Sequence, residues 1–82
     1  MNIIRVKLFY YLKEKAGTGE LELSVPASTT ISDLKNILID TYPGLKPHLS
    51  NILVLINQQI ALDEDKLPQN CEVSFMTPIG GG

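Results

Sequence analysis

The stretch TTISDLKNILIDTYPG, residues 29–44, carries the strongest secondary-structure signal in this chain. Thr30, followed three residues later by Asp33, forms the pattern of a capping box at the start of a helix. Apolar residues then recur at helical spacing on one face, and Pro43 and Gly44 end the helix. The stretch predicts one amphipathic helix with a single buried face, made of Ile31, Leu34, Ile37, Leu38 and Tyr42.

Strand patterns flank this helix on both sides. Two of them precede it and alternate apolar with polar residues, as half-buried strands do. A continuous apolar run follows the helix, which is typical of a central strand or of one covered on both faces. A turn, a short strand and a final alternating strand complete the chain. The predicted strands span residues 3–9, 20–25, 52–57, 60–62 and 71–76.

The order of these elements predicts the fold class. A single amphipathic helix can cover only one face of a sheet, which favours an α+β fold. Two strands, one crossover helix and three further strands are typical of the β-grasp, or ubiquitin-like, fold, with a mixed sheet of about five strands. A short helical segment at residues 10–17 separates the first two strands, and Gly17 suits a left-handed stop at its end.

Composition narrows the classes of function. The chain has 82 residues, enough for one domain with a modest core, and its net charge is −2. It therefore lacks the basic surface of a nucleic-acid-binding protein. Its single cysteine, Cys71, excludes an internal disulfide framework and fits a reducing compartment. We find no targeting segment and no apolar run long enough to span a bilayer, so we expect a cytoplasmic protein.

No side-chain motif in the body of the chain indicates catalysis. His48 is the only histidine, and we interpret it as an exposed residue of a proline-containing loop, without partners at metal-ligand spacing. Cys71 lacks the signature of a nucleophile and is interpreted as a structural thiol. The acidic residues at 63–65 do not alternate as calcium ligands do, and Asn70 in the same loop can adopt a left-handed turn conformation. We expect neither a metal site nor a conventional stand-alone enzyme.

The C-terminal sequence MTPIGGG, residues 76–82, is different. Its three glycines lack side chains, so this end of the chain is narrow and can adopt many backbone conformations. It is either a frayed terminus or an arm that carries the α-carboxylate of Gly82 into the active site of another protein. The sequence predicts a β-grasp domain over residues 1–77 and a flexible tail over residues 78–82.

Strand parity predicts a docking face. Phe9 points away from Leu8 and its neighbours, and Met76 points away from Phe75, so both belong on the sheet face opposite the helix. We expect Ile60, in the short strand, to join them. Large apolar residues grouped on one exposed face indicate a partner surface, although single surface hydrophobes are common.

The chain resembles the family of ubiquitin-like sulfur carriers over nearly its whole length. Within that family it is most similar to the small subunits of molybdopterin synthase, and the helical segment at residues 10–17 distinguishes it from the shorter thiamine-biosynthesis carrier. The last of the matching stretches is the most specific, because it ends in Gly-Gly at the C-terminus. The stretches are VKLFYYLKEKAG (6–17), TTISDLKNILIDTYP (29–43), VLINQQIALDEDKL (54–67) and EVSFMTPIGGG (72–82).

The resemblance implies a carrier cycle. An adenylating enzyme uses ATP to activate the carboxylate of Gly82, and a sulfur donor protein converts it to a thiocarboxylate. The large subunit of molybdopterin synthase then accepts the tail within a heterotetramer, and the sulfur passes to cyclic pyranopterin monophosphate. The carrier itself would hold no cofactor and would be a non-catalytic, sulfur-donating subunit. The residues carried over are Gly81 and Gly82, and Gly80 occupies the small-residue position before them. We expect Pro78 and Ile79 to contact the partner.

Three departures from the family pattern leave the pathway open. Thr77 stands where a second proline is frequent, Met76 stands where an aromatic residue is common, and residues 69–71 replace an Asp-Gly-Asp-like turn. The alternatives are a carrier for thiamine or another pathway, a ubiquitin-like modifier joined to lysines through Gly82, and a plain interaction domain with an inert tail.

Overall fold

The structure is a computed structural model that describes residues 1–50 and 52–76. Its elements are β1 (Asn2–Leu8), α1 (Tyr11–Ala16), β2 (Glu20–Val25), α2 (Ile31–Thr41), a 3-10 helix (Pro43–His48), β3 (Leu53–Ile56), β4 (Gln59–Ile60) and β5 (Glu72–Met76). The strands form one mixed sheet in the order β2-β1-β5-β3-β4, with β1 antiparallel to β2 and parallel to β5. This arrangement confirms the predicted α+β class and β-grasp topology.

Helix α2 begins with the predicted capping box. The side-chain hydroxyl of Thr30 accepts a hydrogen bond from the backbone N–H of Asp33, and the Asp33 carboxylate accepts one from the backbone N–H of Thr30, each at 3.2 Å. These bonds satisfy N–H groups that have no partner within the helix. Of the five predicted face residues, Ile31, Leu34 and Leu38 are buried, and the other two are half-buried.

The core lies between α2 and one face of the sheet. Alternate residues of β1 and β5 are fully buried there and pack with the buried face of α2. Burial of each large apolar side chain contributes about 1.5–3 kcal/mol, which makes this layer the main source of stability. The sheet residues that form it are Ile4, Val6, Leu8, Val25, Val54, Val73 and Phe75.

The segment after α2 differs from the predicted loop. It forms the 3-10 helix Pro43–His48, which carries Leu45 into the core, and the following Leu49 is also buried. Six residues with two prolines are too short and too irregular to give a helical period. The prediction of an exposed loop histidine was wrong, because His48 is half-buried and its ring packs on that of Tyr11, with 4.9 Å between centroids.

Two turns use left-handed backbone conformations. Asn57 and Gln58, with φ of 48° and 71°, form the two-residue connection between β3 and β4. Positive φ at both positions is the geometry that matches the twist of an antiparallel hairpin. The second strand of this hairpin is shorter than predicted and lies one residue earlier. Asn70 also has a positive φ, 58°, which confirms the turn predicted before β5.

The buried side chain of Asn2 connects the start of β1 to the loop that precedes β5. Asn2 is only 1% exposed, and its side-chain amide donates to the backbone carbonyls of Leu67, at 3.3 Å, and Pro68, at 2.9 Å. Its side-chain oxygen accepts from the backbone N–H of Asn70 at 2.7 Å. These bonds fix the loop that precedes β5 against the start of β1. They therefore help to set the position of the last strand.

Candidate functional site

β5, the last described strand, ends at the same edge of the sheet as β1. β5 lies between β1 and β3, and its Phe75 is opposite Leu8 of β1. Because β1 and β5 are parallel, their carboxyl ends meet at the same edge. The backbone N–H of Phe9 extends this pairing by donating to the carbonyl of Phe75 at 3.1 Å. Phe9 and Tyr10 therefore lie beside the point where the chain continues beyond Met76.

The predicted reacting end lies outside the described residues. This holds for Gly80, Gly81 and Gly82, and for the two predicted contacts before them, Pro78 and Ile79. Their roles, and the domain boundary placed before residue 78, stay predictions.

The sheet face away from α2, called here the open face, carries an apolar patch on β3, β4 and β5. In this register Leu53 is opposite Met76, and Leu55 is opposite both Ser74 and Ile60. Paired residues lie on the same side of a sheet, and their chain neighbours Val54 and Phe75 point into the core. The apolar patch consists of Leu53, Leu55, Ile60 and Met76.

The predicted docking residues come together on this face. Ile60 is 73% exposed and Met76 is half-buried, both within the apolar patch. Phe9 follows β1 directly, is half-buried, and reaches the open face beside Met76 by strand alternation. The strand register thus places Ile60 and Met76 on one side of the sheet, and alternation beyond β1 assigns Phe9 to the same side, while their contact with a partner stays a prediction.

The predicted docking face did not include Leu53 and Leu55, although the sequence shows that both belong to an unusually apolar strand. Both belong to the continuous apolar run of β3, which predicted a central strand or one covered on both faces. The central position is confirmed, because β3 lies between β5 and β4. Only Val54 of this strand is buried, so its second face lacks a full cover in the described part of the chain. A strand with core-like composition and one accessible face is what a partner-binding sheet requires.

Paired charges occupy the other half of the open face, on β1, β2 and β5. Arg5 lies 3.5 Å from Glu20, and Lys7 lies 3.5 Å from Glu72. Ion pairs this exposed contribute at most about 1 kcal/mol each to stability. Their position suits the polar rim that surrounds the apolar centre of many protein interfaces.

Cys71 is buried and has no disulfide partner. Burial raises the pKa of its thiol above the ordinary value, and a backbone hydrogen bond opposes that change only in part. The thiol is therefore neutral at physiological pH, and a neutral buried thiol is a poor nucleophile. This environment agrees with a structural interpretation of Cys71.

Two carboxylates of the acidic loop at 63–65 form hydrogen bonds within the domain. The Asp63 carboxylate accepts a hydrogen bond from Lys35 at 2.8 Å, and that of Asp65 accepts one from the backbone N–H of Leu62 at 2.8 Å. In residues 1–50 and 52–76, no three His, Cys, Asp or Glu side chains are grouped closely enough to hold a metal ion. Within the same ranges, every helix is too short or too polar to cross a membrane.

Comparisons with known proteins agree with this geometry. The model of the ThiS family matches residues 6–82. The molybdopterin synthase sulfur carrier subunit of Mycobacterium tuberculosis is 28% identical, over 98% of this chain and 100% of its own length. The solution structure of small archaeal modifier protein 1 from Methanosarcina acetivorans is 31% identical, covers 100% of this chain and 98% of its own, and has a TM-score of 0.83.

The same fold occurs in a two-protein complex. One chain of the complex of subunits 1 and 2 of the molybdopterin-converting factor from Helicobacter pylori has a TM-score of 0.71 and 18% identity, over 98% of this chain and 99% of that chain. The family match spans nearly all of the sequence, and the sheet, helix and tail-bearing last strand have the architecture of that family. The present chain belongs to the ThiS family and is a sulfur-carrier-like protein with a β-grasp fold.

Proposed function

We propose that this chain is the sulfur-carrier subunit of a molybdopterin synthase, and that its reacting group is the α-carboxylate of Gly82. One observation carries the proposal: the central strand β5 leads directly into the glycine-ended tail, beside an apolar patch without a full cover. The family match, which continues to residue 82, supports it. The described residues supply a rigid domain and a docking face, and the chemistry resides on the chain terminus.

The proposed reaction explains why the last residues are glycines. The Gly82 carboxylate attacks the α-phosphate of ATP on an adenylating enzyme, which releases pyrophosphate and leaves an acyl adenylate. The terminal sulfur of a persulfide on the donor protein then displaces AMP to give an acyl disulfide. A thiol attacks the donor cysteine sulfur of this intermediate, which forms a new disulfide and releases the thiocarboxylate. These steps take place in a confined site that excludes water, and a segment without Cβ atoms can enter such a site without steric conflict.

The large subunit of the synthase is the proposed acceptor of the loaded tail. In its active site the thiocarboxylate donates sulfur to cyclic pyranopterin monophosphate, and the large subunit supplies the acid, base and anion-binding groups. The name of the mycobacterial relative, a sulfur carrier subunit, and the two-subunit Helicobacter complex are consistent with such a partner. We propose that the apolar patch and Phe9 form the contact surface on this chain, and that the complex acts in the cytoplasm.

Thiocarboxylate formation tests the proposal directly. The purified chain is incubated with the adenylating enzyme and the sulfur donor protein of its own organism and with ATP, and the intact mass is measured. We expect a mass increase equal to the exchange of one oxygen for sulfur, located at Gly82 by fragmentation. A reaction without ATP provides the control. An unchanged mass with enzymes that load their own carrier would contradict the proposal.

Substitutions in the apolar patch should weaken binding of the large subunit without unfolding the domain. Met76→Glu would place a charge in the buried centre of the interface, and Ile60→Ser would remove an exposed apolar contact. We expect Met76→Glu to raise the dissociation constant about 10- to 100-fold, with a smaller increase for Ile60→Ser. Calorimetric titration measures both. Leu62→Ser is the matched control, because Leu62 is 58% exposed but lies outside the patch.

Two outcomes of these titrations test whether the large subunit binds to the apolar patch. Weak binding by the Met76 and Ile60 variants, with native binding by the Leu62 variant, supports the proposed face. Equal affinity for the three variants and the native chain would show that the large subunit docks elsewhere.

A protein modifier is the second candidate function. The 31% identical small archaeal modifier protein favours it, because its name calls it a modifier protein and it matches the full length of this chain. The same activated carboxylate of Gly82 could form isopeptide bonds with lysines. Conjugates of higher mass in cells, absent when Gly81 and Gly82 are deleted, would support this function. A carrier for thiamine or another pathway would instead form the thiocarboxylate and fail to restore molybdoenzyme activity.

A further inference from the structure

Tyr10 occupies a backbone conformation that favours glycine. Its φ is 54° and its ψ is −125°, at the first central position of a turn closed by the hydrogen bond from the N–H of Leu12 to the carbonyl of Phe9, at 3.2 Å. This is the geometry of a type II′ turn, in which glycine dominates that position because a Cβ atom is strained there. A tyrosine at this position carries a conformational cost that glycine would not.

The Tyr10 ring gains little from the rest of the described chain. It is 57% exposed, and its aromatic contact is a tilted one with Phe9, at 6.3 Å between ring centroids. Tyr11 provides a useful contrast. It is 51% exposed, but its ring packs on His48 and lies under the ammonium of Lys15, 5.5 Å from the ring centroid. Among the described residues, the Tyr11 ring thus has contacts with His48 and Lys15, whereas the aromatic contact of the Tyr10 ring is with its chain neighbour Phe9.

The position of Tyr10 offers the missing explanation. It directly follows Phe9, whose backbone N–H donates to the carbonyl of Phe75, so the Tyr10 backbone lies close to the end of β5. Residues 77–82 can span at most about 20 Å when fully extended. A protein that holds Gly82 in its active site must therefore approach this sheet edge closely. Tyr10 then lies within the area that such a protein covers.

We infer that Tyr10 is a binding residue that contacts the large subunit of the synthase near the end of β5, an assignment that rests on the proposed function. Its ring provides a rigid aromatic contact, of the kind that dominates many interfaces. The strain in its backbone is retained because glycine would remove the ring. Strained conformations that persist at exposed positions commonly mark binding sites.

Two substitutions at Tyr10 separate the effect of losing the ring on binding from the effect of backbone strain on stability. Tyr10→Ala and Tyr10→Gly both remove the ring, but only glycine relieves the strain. We expect both variants to bind the large subunit about tenfold more weakly than the native chain. We expect Tyr10→Gly to unfold about 5 °C above Tyr10→Ala. Tyr10→Phe should keep native affinity. Tyr11→Ala, which removes an exposed ring already packed on His48, is the matched control and should also bind normally.

Titration calorimetry of each variant against the purified large subunit, with thermal unfolding in parallel, decides the matter. Equal loss of affinity in two variants of different stability cannot come from a structural role alone. Native affinity of both Tyr10 variants would overturn the inference and leave the proposed function intact. If the native chain itself neither binds the large subunit nor forms a thiocarboxylate, the proposed function fails, and the assignment of Tyr10 fails with it.

Discussion

Deletion of Gly81 and Gly82 is expected to abolish sulfur transfer while the domain stays folded. The shortened chain would end at Gly80, and its carboxylate would fall about 7 Å short of the reacting position. A displacement of 1 Å in an active site can already lower a rate about 100-fold, so we expect activity to fall below detection. The measurement is dithiolene formation from cyclic pyranopterin monophosphate by the reconstituted synthase, with the mass of the carrier recorded in parallel.

The control for this deletion is the stability of the domain. The buried core extends from Ile4 to Phe75, so the unfolding temperature should not change. Gly82→Ala is a second, milder variant that keeps the length and the terminal carboxylate but adds a Cβ atom. We expect it to lose activity only in part. Full activity of the shortened chain would support an interaction domain with an inert tail.

Replacement of Asn2 by alanine is expected to have the largest effect on stability. The change removes three hydrogen bonds and leaves the backbone carbonyls of Leu67 and Pro68 and the N–H of Asn70 without their partner. Buried polar groups that lose their partners cost about 1–3 kcal/mol each, and water can reach some of these atoms, so we expect a loss of about 2–4 kcal/mol. For a domain of this size, this lowers the unfolding temperature by about 10–25 °C.

Thermal and urea unfolding followed by circular dichroism measure this loss. Gln69→Ala is the matched control, since the Gln69 amide also contacts the N-terminal backbone, at Met1, but at 3.5 Å and from an exposed position. It should change stability by less than about 0.5 kcal/mol. An Asn2 variant as stable as the control would show that the loop before β5 is held by other contacts.

Local sequence patterns predicted the helix and most of the strands because their signals are short-range. The capping box depends on Thr30 and Asp33 three residues apart, and the Gly17 stop depends on one residue with φ of 77°. The 3-10 helix at Pro43–His48 escaped prediction because its structure depends on the burial of Leu45 rather than on a repeating pattern. The boundaries of β1, β3 and β5 differ from the prediction by one residue at several ends, where pairing with a neighbour decides which residues join the sheet.

Local patterns likewise predicted only some residues of the candidate site, and the pairing of distant strands placed the others. Strand parity predicted that Phe9 and Met76 lie on the face away from the helix, because side chains alternate along a strand, and the register of β5 places Met76 there. Parity could not show that Leu53 and Leu55 join them. Their membership depends on the register of β3 against β5, which brings together residues about twenty positions apart in the chain.

The α+β class, the main helix and the glycine-ended segment follow from local spacing, capping residues and chain order, so the sequence was enough to predict them. Three other features became visible only in the folded chain: β5 lies parallel to β1 at the sheet centre, Asn2 is a buried hydrogen-bonding residue, and Tyr10 adopts a strained turn near the end of β5. Each of these features depends on contacts or backbone angles that no local sequence pattern specifies. Such pairings leave no periodic signal in the sequence.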